Sequence, residues 1–475
     1  MNLWTRIAEF AAARPHRPAC IGVDGEHTYA DLLSDVAALS GRIEELAPRG
    51  HVVAVRGQRG YGTLTCLLAC LATGRVYLPV DERWPARRVE LVVAEAGAAA
   101  LLEVGADEVP RIAPIQATGP AATRPGLGYV IFTSGSTGTP KGVMVEAVVL
   151  EERLRELIPL LAGERPARFV LNTSISFDIS LIELLLPLLA GGTVVCPPPL
   201  RVDPRGFGDF VTRHAGTHMQ GTPSFFKLIE AFDANLPADL EVWCGGEALD
   251  AQFASRLVDR FKTVRNFYGP TEATIWCTYH NLTPDALDSV GLPFGGTQVI
   301  APGADVGQPA ELVLAGRGLA AGYVRPTDDE GRFVELSGHG RAYRTGDLGW
   351  VAADGRVHVA GRIDHQVKVN GYRLELTEIE SALEAHPWVR QCAAFILPGS
   401  EEGSVRLAAA YVADDAIPVR RLREHLRGVL PAYAVPGHLR RVDELPLTTA
   451  GKVDRQLLRE TVAPETAPAT AGGGR

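Results

Sequence analysis

The segment Thr133-Ser-Gly-Ser-Thr-Gly-Thr-Pro-Lys-Gly142 gathers residue types that bind phosphate. Glycines let the backbone approach an anion closely, and successive N–H groups form an anion nest. Gly135 and Gly138 supply that freedom; the hydroxyls of Thr133, Ser134, Ser136 and Thr137 add donors. Lys141 adds a point charge. The spacing is not that of a Walker A loop, because Gly142 and not Ser or Thr follows the lysine. The plain alternative is a polar flexible loop. Lysine is scarce: only five of the 47 basic residues are Lys141, Lys227, Lys262, Lys368 and Lys452. A loop lysine such as Lys452 is then harder to assign to solvated surface. Asp178 stands at the head of the apolar run through Leu189. A carboxylate there needs a partner, or else it caps the following helix over Leu181–Leu189.

The elements that must hold these residues alternate strand with helix. Gly128 to Phe132 reads as a buried strand leading into the loop. Strands are expected at Val52–Val55, Val76–Val80, Ala99–Val104, Phe169–Leu171, Thr193–Val195, Val264–Phe267 and Glu311–Leu314, with a helix over Leu64–Ala72. That alternation predicts an α/β fold with a largely parallel sheet. After Gly361 the pattern changes to an αβ unit: helix Glu375–Glu384, strands Gln391–Ile396 and Leu407–Val412, helix Arg420–Leu430. The expected organisation is a large N-terminal core, 1–362, a small α+β unit, 363–460, and a structureless tail, 461–475.

Composition bounds the rest. The 475 residues are 46% hydrophobic and 22% charged, with net charge −9. This excludes wholesale disorder and leaves no electrostatic footprint for nucleic acid or anionic membrane. Fifty glycines and 33 prolines imply many turns. Seven cysteines without a CxxC pair read as buried free thiols in a reducing compartment. The first fifteen residues read as an amphipathic helix, and the most apolar run, Leu181–Cys196, is interrupted by Glu183, Pro187 and Gly191-Gly192. The expectation is a cytoplasmic protein without a membrane span.

The loop resembles the signature of the adenylate-forming superfamily: acyl-CoA synthetases, luciferases and nonribosomal peptide synthetase adenylation domains. Further motifs follow in that family's order, from Thr28-Tyr-Ala-Asp-Leu32 and Leu71 to Asp81, through Phe177-Asp-Ile-Ser180 and Asn266-Phe-Tyr-Gly-Pro-Thr-Glu272. Tyr343-Arg-Thr-Gly-Asp-Leu348, Gly361 to Gly371, Leu430-Pro-Ala-Tyr433 and Gly451-Lys-Val-Asp-Arg455 complete the set. The resemblance implies ATP and Mg²⁺ as cofactors, with Glu272 on the metal. It implies that Asn266 and Tyr268 meet adenine, that Gly245-Gly246-Glu247 lets the backbone approach the same base, and that Gly269 and Thr271 belong to the ATP site. Asp347 would accept from the ribose hydroxyls, with Arg362 beside it. Lys452 would be the main catalytic residue, stabilising charge on the α-phosphate. Lys368 and Arg362 flank Asp364, which matches a hinge about which the small unit rotates between half-reactions.

Within the family, an aspartate at the position of Asp178 pairs with a substrate α-ammonium, which implies an amino acid. The pocket positions carried over are Asp178, Ile179, Ile182, Gln220, Trp243, Gly245, Phe267, Ile275, Trp276 and Lys452. They resemble the family's glycine signature, with larger residues at Trp243 and Phe267. Glycine is the expected substrate; alanine or another small amino acid is the alternative, and Gln220 would allow a hydroxyl substrate such as serine. An acyl- or aminoacyl-CoA ligase and a catalytically silent nucleotide-binding domain are competing readings. Ala147, Ala310, Ala434 and Ala450 depart from the family pattern. No carrier motif follows Arg455, so the chain reads as freestanding, with a phosphopantetheine-bearing carrier protein supplied in trans. The resemblance also allows a small activator of the MbtH-like kind.

Overall fold

Two helices that are buried on nearly every side organise most of the chain. Eleven of the thirteen residues of Tyr61–Thr73 and all ten of Ser180–Leu189 are buried. A helix without a polar face must be enclosed. Tyr61–Thr73 touches strands of both large sheets, Pro18–Gly22 in one and Val52–Gly57 and Val76–Asp81 in the other. Ser180–Leu189 packs on Arg168–Val170 and Thr193–Val195, and on helix Ala147–Leu157.

The computed structural model describes residues 3–114, 125–135, 138–163, 165–304, 308–329, 331–364, 366–369, 372–399, 405–413, 418–447 and 453–462. The fold is mixed α/β. One large sheet has nine strands and a parallel centre, in the order Thr263–Tyr268, Glu241–Gly245, His218–Gly221, Arg168–Val170, Thr193–Val195, Pro18–Gly22. The other has seven, with Leu127–Thr133, Val76–Asp81, Val52–Gly57 and Ala100–Val104 side by side and parallel. Buried residues of both sheets and the helices between them form one core.

The expectation of a largely parallel sheet needs correction at Glu311–Leu314. That segment lies in strand Ala310–Gly316 of a five-stranded sheet that is antiparallel throughout. A short apolar run has the same composition in either ladder, and only the distant partner, Gly340–Val351, decides its direction. Past Arg362 the chain forms a two-stranded sheet, Gln366–Val369 with Tyr372–Glu375, and a three-stranded one, Val389–Pro398, Val405–Ala413 and His438–Arg441. Ile379, Leu383, Leu407, Leu422 and Leu426 pack together there in a core of their own. All seven cysteines are buried and free. Among the described residues no helix is long and apolar enough to cross a membrane.

The sheets matter for what their ends carry. Gly221, Gly245 and Tyr268 end three adjacent parallel strands of the nine-stranded sheet. Thr133 ends the strand that feeds the glycine-rich loop. Ligands of open parallel sheets bind beyond such carboxyl ends.

Candidate active site

Asp178 is 7% exposed and opens into a cavity that Thr133, Ser134, Phe177, Thr271 and Arg373 also line. It does not cap the helix: the cap residue of Ser180–Leu189 is Ile179, and no side-chain cap bond is made. Among the described residues its carboxylate has no ion-pair partner. Burial pushes it up to about 6, opposed by a hydrogen bond from the Thr271 side chain. The Arg373 charge also acts to lower it, and a further cation brought beside a buried carboxylate favours its ionised form.

The other predicted pocket residues do not line that cavity; among the described residues they come together in the buried core. Ile182, Gln220, Trp243 and Ile275 are fully buried, and Ile179, Phe267 and Trp276 nearly so. The Phe267 ring stacks on Trp243 at 4.9 Å and lies 5.7 Å from Trp276. A Cβ on Gly245 would meet the Trp276 ring at 2.8 Å and the Phe267 carbonyl at 2.6 Å. Only glycine fits there. Gln220 gives its carbonyl oxygen to the Trp276 indole N–H at 2.8 Å and its amide N–H to the Ile179 carbonyl at 3.0 Å. Gln220, expected to greet a substrate hydroxyl, thus holds protein partners at both ends of its amide.

The turn that delivers Ile275 and Trp276 is unusual. Thr274 and Ile275 are both β-branched and both left-handed, with φ of 56° and 71°. Such residues are rare there, at a cost of roughly 1–3 kcal/mol each. The reversal carries Ile275–Cys277 across Gly269, where a Cβ would collide with the Ile275 carbonyl. Arg153, buried in helix Ala147–Leu157, donates to the Phe294 carbonyl at 3.1 Å and the Ala273 carbonyl at 3.4 Å, and so braces this turn.

On the other side of the strand ends, the Tyr268 hydroxyl donates to Asp347 at 2.7 Å. Arg362 also donates to Asp347, and its other N–H groups hold both oxygens of Asp364 at 2.7 Å. Lys368 lies within reach of the charges of Asp347 and Glu247; burial lowers its pKa, and Asp347 opposes that. The structure therefore assembles Tyr268, Asp347, Arg362, Asp364 and Lys368. Glu247 accepts from the Ser224 N–H at 2.9 Å, at the start of helix Pro223–Ala231. Gly246 turns left-handed at φ 83° beside it. Two expectations shift. Asn266 donates its amide to the Ser289 carbonyl at 3.0 Å, so its donor is committed to the fold. Lys141 sits 3.7 Å from Asp328 and over the Tyr323 ring, so the charge assigned to phosphate has a protein partner.

Glu272 is 1% exposed. It accepts from the Tyr323 hydroxyl at 2.6 Å and from Arg373 at 2.9 and 3.2 Å. Burial raises its pKa, but Arg373, the Tyr323 hydroxyl and a backbone N–H together outweigh that and hold it below the ordinary value. An ionised carboxylate suits Mg²⁺, which takes one or two protein carboxylates plus substrate phosphates. In the arrangement described, Arg373 fills the cation's place. Arg373 comes from strand Tyr372–Glu375, past the expected hinge, and its carbonyl accepts from the Ser134 hydroxyl at 2.8 Å. Two further contacts join the same surfaces. Arg88 and Glu378 form an ion pair with both side chains buried, and Tyr372 packs edge-on against Phe177 at 4.8 Å. Gly138, at φ 82°, leaves no room for a side chain beside Ser381 of helix Leu376–Glu384.

Lys452, Ser136 and Thr137 lie outside the described residues. Sequence reasoning missed Arg373, Glu378 and Tyr323, whose partners are distant in the chain. It also passed over Glu183 as a functional group. A charge inside the apolar run Leu181–Leu189 was the available signal.

Residues 7–324 match the AMP-binding enzyme family, and residues 378–452 match the AMP-binding enzyme C-terminal domain. The chain is 33% identical over 498 residues to the dimodular nonribosomal peptide synthase of Bacillus subtilis, across 96% of this chain and 21% of that protein. It thus spans about a fifth of that relative's length. PA1221, an NRPS protein containing adenylation and PCP domains, is similar in structure with a TM-score of 0.80 at 29% identity, covering 96% of this chain and 84% of that one. The four-domain nonribosomal peptide synthetase AB3403, solved with AMP and glycine, is similar with a TM-score of 0.68 at 26% identity, covering 100% of this chain and 37% of that one. The chain belongs to the AMP-binding enzyme family, and it is similar along nearly its whole length to parts of nonribosomal peptide synthetases, PA1221 with its adenylation and PCP domains among them.

Proposed function

We propose that the protein activates a small amino acid, glycine first, as its adenylate and passes the acyl group to a phosphopantetheine thiol. The observation that carries the amino-acid reading is Asp178, a buried carboxylate in the cavity with no ion-pair partner among the described residues. A substrate α-ammonium supplies the missing charge. The substrate carboxylate oxygen attacks the α-phosphorus of ATP, and the bond to the β-phosphate breaks to release pyrophosphate. The thiol sulfur then attacks the acyl carbon; AMP leaves and the thiol proton passes to solvent. Trp276 and Phe267 against Gly245 support a substrate with little or no side chain. AB3403, the relative solved with AMP and glycine, supports the same choice.

Glu272 would hold Mg²⁺, which neutralises phosphate charge when bound. Asp347 and Tyr268 would position the nucleoside, and Lys452 would meet the charge that builds on the α-phosphate. Lys452→Ala is expected to lower amino-acid-dependent ATP–pyrophosphate exchange by about a hundredfold or more. A silent nucleotide-binding domain would show no exchange to lose.

Asp178 also sets a pH dependence. Only its anion pairs with the ammonium, and burial pushes it up to about 6. A proton therefore competes with substrate below that value. KM for the amino acid is expected to be flat above about pH 7 and to rise about tenfold per pH unit below about pH 6. Exchange kinetics across that range check it; a KM that stays flat would contradict the pairing.

A further inference from the structure

Glu183 is the one ionisable residue of helix Ser180–Leu189, and it is fully buried. It makes no ion pair with any described residue. Its Oε2 accepts from the backbone N–H of Asn172 at 2.9 Å and of Thr173 at 3.0 Å. Its Oε1 accepts from the Thr173 hydroxyl at 2.6 Å and from the Gln220 amide at 3.3 Å. Gln220 in turn accepts from the Trp276 indole at 2.8 Å. The orientation of that amide is chemically determined. Turned over, its oxygen would face two acceptors, Glu183 and the Ile179 carbonyl, and its NH₂ would face the indole N–H. Trp276 then lies over Gly245 and, at 3.9 Å from a Cβ built there, over Gly246.

We propose that Glu183 is a positioning residue that sets the upper size limit of the amino-acid pocket, by fixing the Gln220 amide and through it the Trp276 indole across Gly245. An apolar residue at 183 would avoid burying a carboxylate, which burial pushes up to about 7. It could not accept from Gln220. The proposal rests on the small-amino-acid reading above, and it makes the limit depend on a residue that never touches substrate.

The test is ATP–pyrophosphate exchange with glycine, alanine and leucine for the full chain and four variants: Glu183→Gln, Gln220→Met, Trp276→Leu and Glu183→Gln with Trp276→Leu. A glutamine at 183 offers NH₂ where Gln220 needs an acceptor, so the Gln220 amide loses one of the three contacts that fix it. Each single variant is expected to raise the alanine-to-glycine ratio of kcat/KM about tenfold, through a lower KM for alanine. The double variant is expected to add little, because both changes act on one chain of contacts. A merely structural role would lower both substrates equally and leave the ratio unchanged, which overturns the proposal. So would a shifted ratio in Trp276→Leu alone. If Glu183→Gln does not fold, Glu183→Met decides in its place, since it also removes the acceptor of Gln220, while Gln220→Met reports on the step to Trp276 alone. The wild type separates the two readings: a preference for leucine would defeat the small-substrate reading, while the variants would still report on the Glu183 link.

Discussion

Asp178→Asn is expected to remove amino-acid-dependent exchange while raising the temperature of unfolding. The two effects share a cause. Removing one partner of a buried charge pair costs about 2–5 kcal/mol, so kcat/KM should fall by about thirtyfold to several thousandfold. The free protein experiences the opposite. Burial raises the Asp178 carboxyl from 3.8 to about 6. A carboxyl raised on folding contributes stability while protonated, below its unfolded value, and loses it as pH rises through the folded one. Above about pH 6 the buried anion therefore costs the free protein about 3 kcal/mol, which a neutral amide does not. Thermal unfolding at about pH 8 without substrate should show Asp178→Asn above the wild type, and the difference should vanish towards about pH 4. A variant that is both inactive and less stable at alkaline pH would mean that Asp178 is structural.

Arg373→Ala is expected to separate the two half-reactions. Arg373 is the cation on Glu272, and it belongs to the segment past Arg362. With Arg373 in place the carboxylate is committed; with Arg373 withdrawn it is open to Mg²⁺ and phosphate. On the proposed function, the described arrangement would then belong to the thiol step and adenylation would need Arg373 withdrawn. Removing the guanidinium strands a buried carboxylate in this arrangement, at about 3–5 kcal/mol. The population should shift towards the other arrangement, since a conformation is favoured only by its differential interactions. Exchange should change by no more than a few fold, while acylation of a phosphopantetheinylated carrier protein, or of coenzyme A, slows by about a hundredfold or more. Equal losses in both assays would contradict this assignment.

How much of this was legible in the chain depended on sequence distance. The strand into Thr133, the apolar helix after Asp178 and the strands at Thr193–Val195 and Val76–Asp81 follow from local pattern, and they stand close to where they were expected. The antiparallel direction of Ala310–Gly316 did not, because its partner strand begins at Gly340. The site divides in the same way. Asp178 and the pocket residues could be marked by type and motif. The commitment of Gln220 to Trp276, 56 residues on, and of Glu272 to Arg373, 101 residues on, could not. Asn266 and Lys141 show the complementary limit: motif assigns each to ligand, while the protein partner it also has, Ser289 or Asp328, lies elsewhere in the fold and could not be read from the chain.

The central claim is that the buried Asp178 and the packing of Trp276 and Phe267 on Gly245 select an amino acid with little side chain. The measurement that tests this most directly is ATP–pyrophosphate exchange with the full panel of proteinogenic amino acids, together with benzoate and acetate. A dominant signal with glycine, or with alanine next to it, and none with the two acids that lack an ammonium is the predicted result. Exchange driven by benzoate, or only by a bulky amino acid, would contradict it.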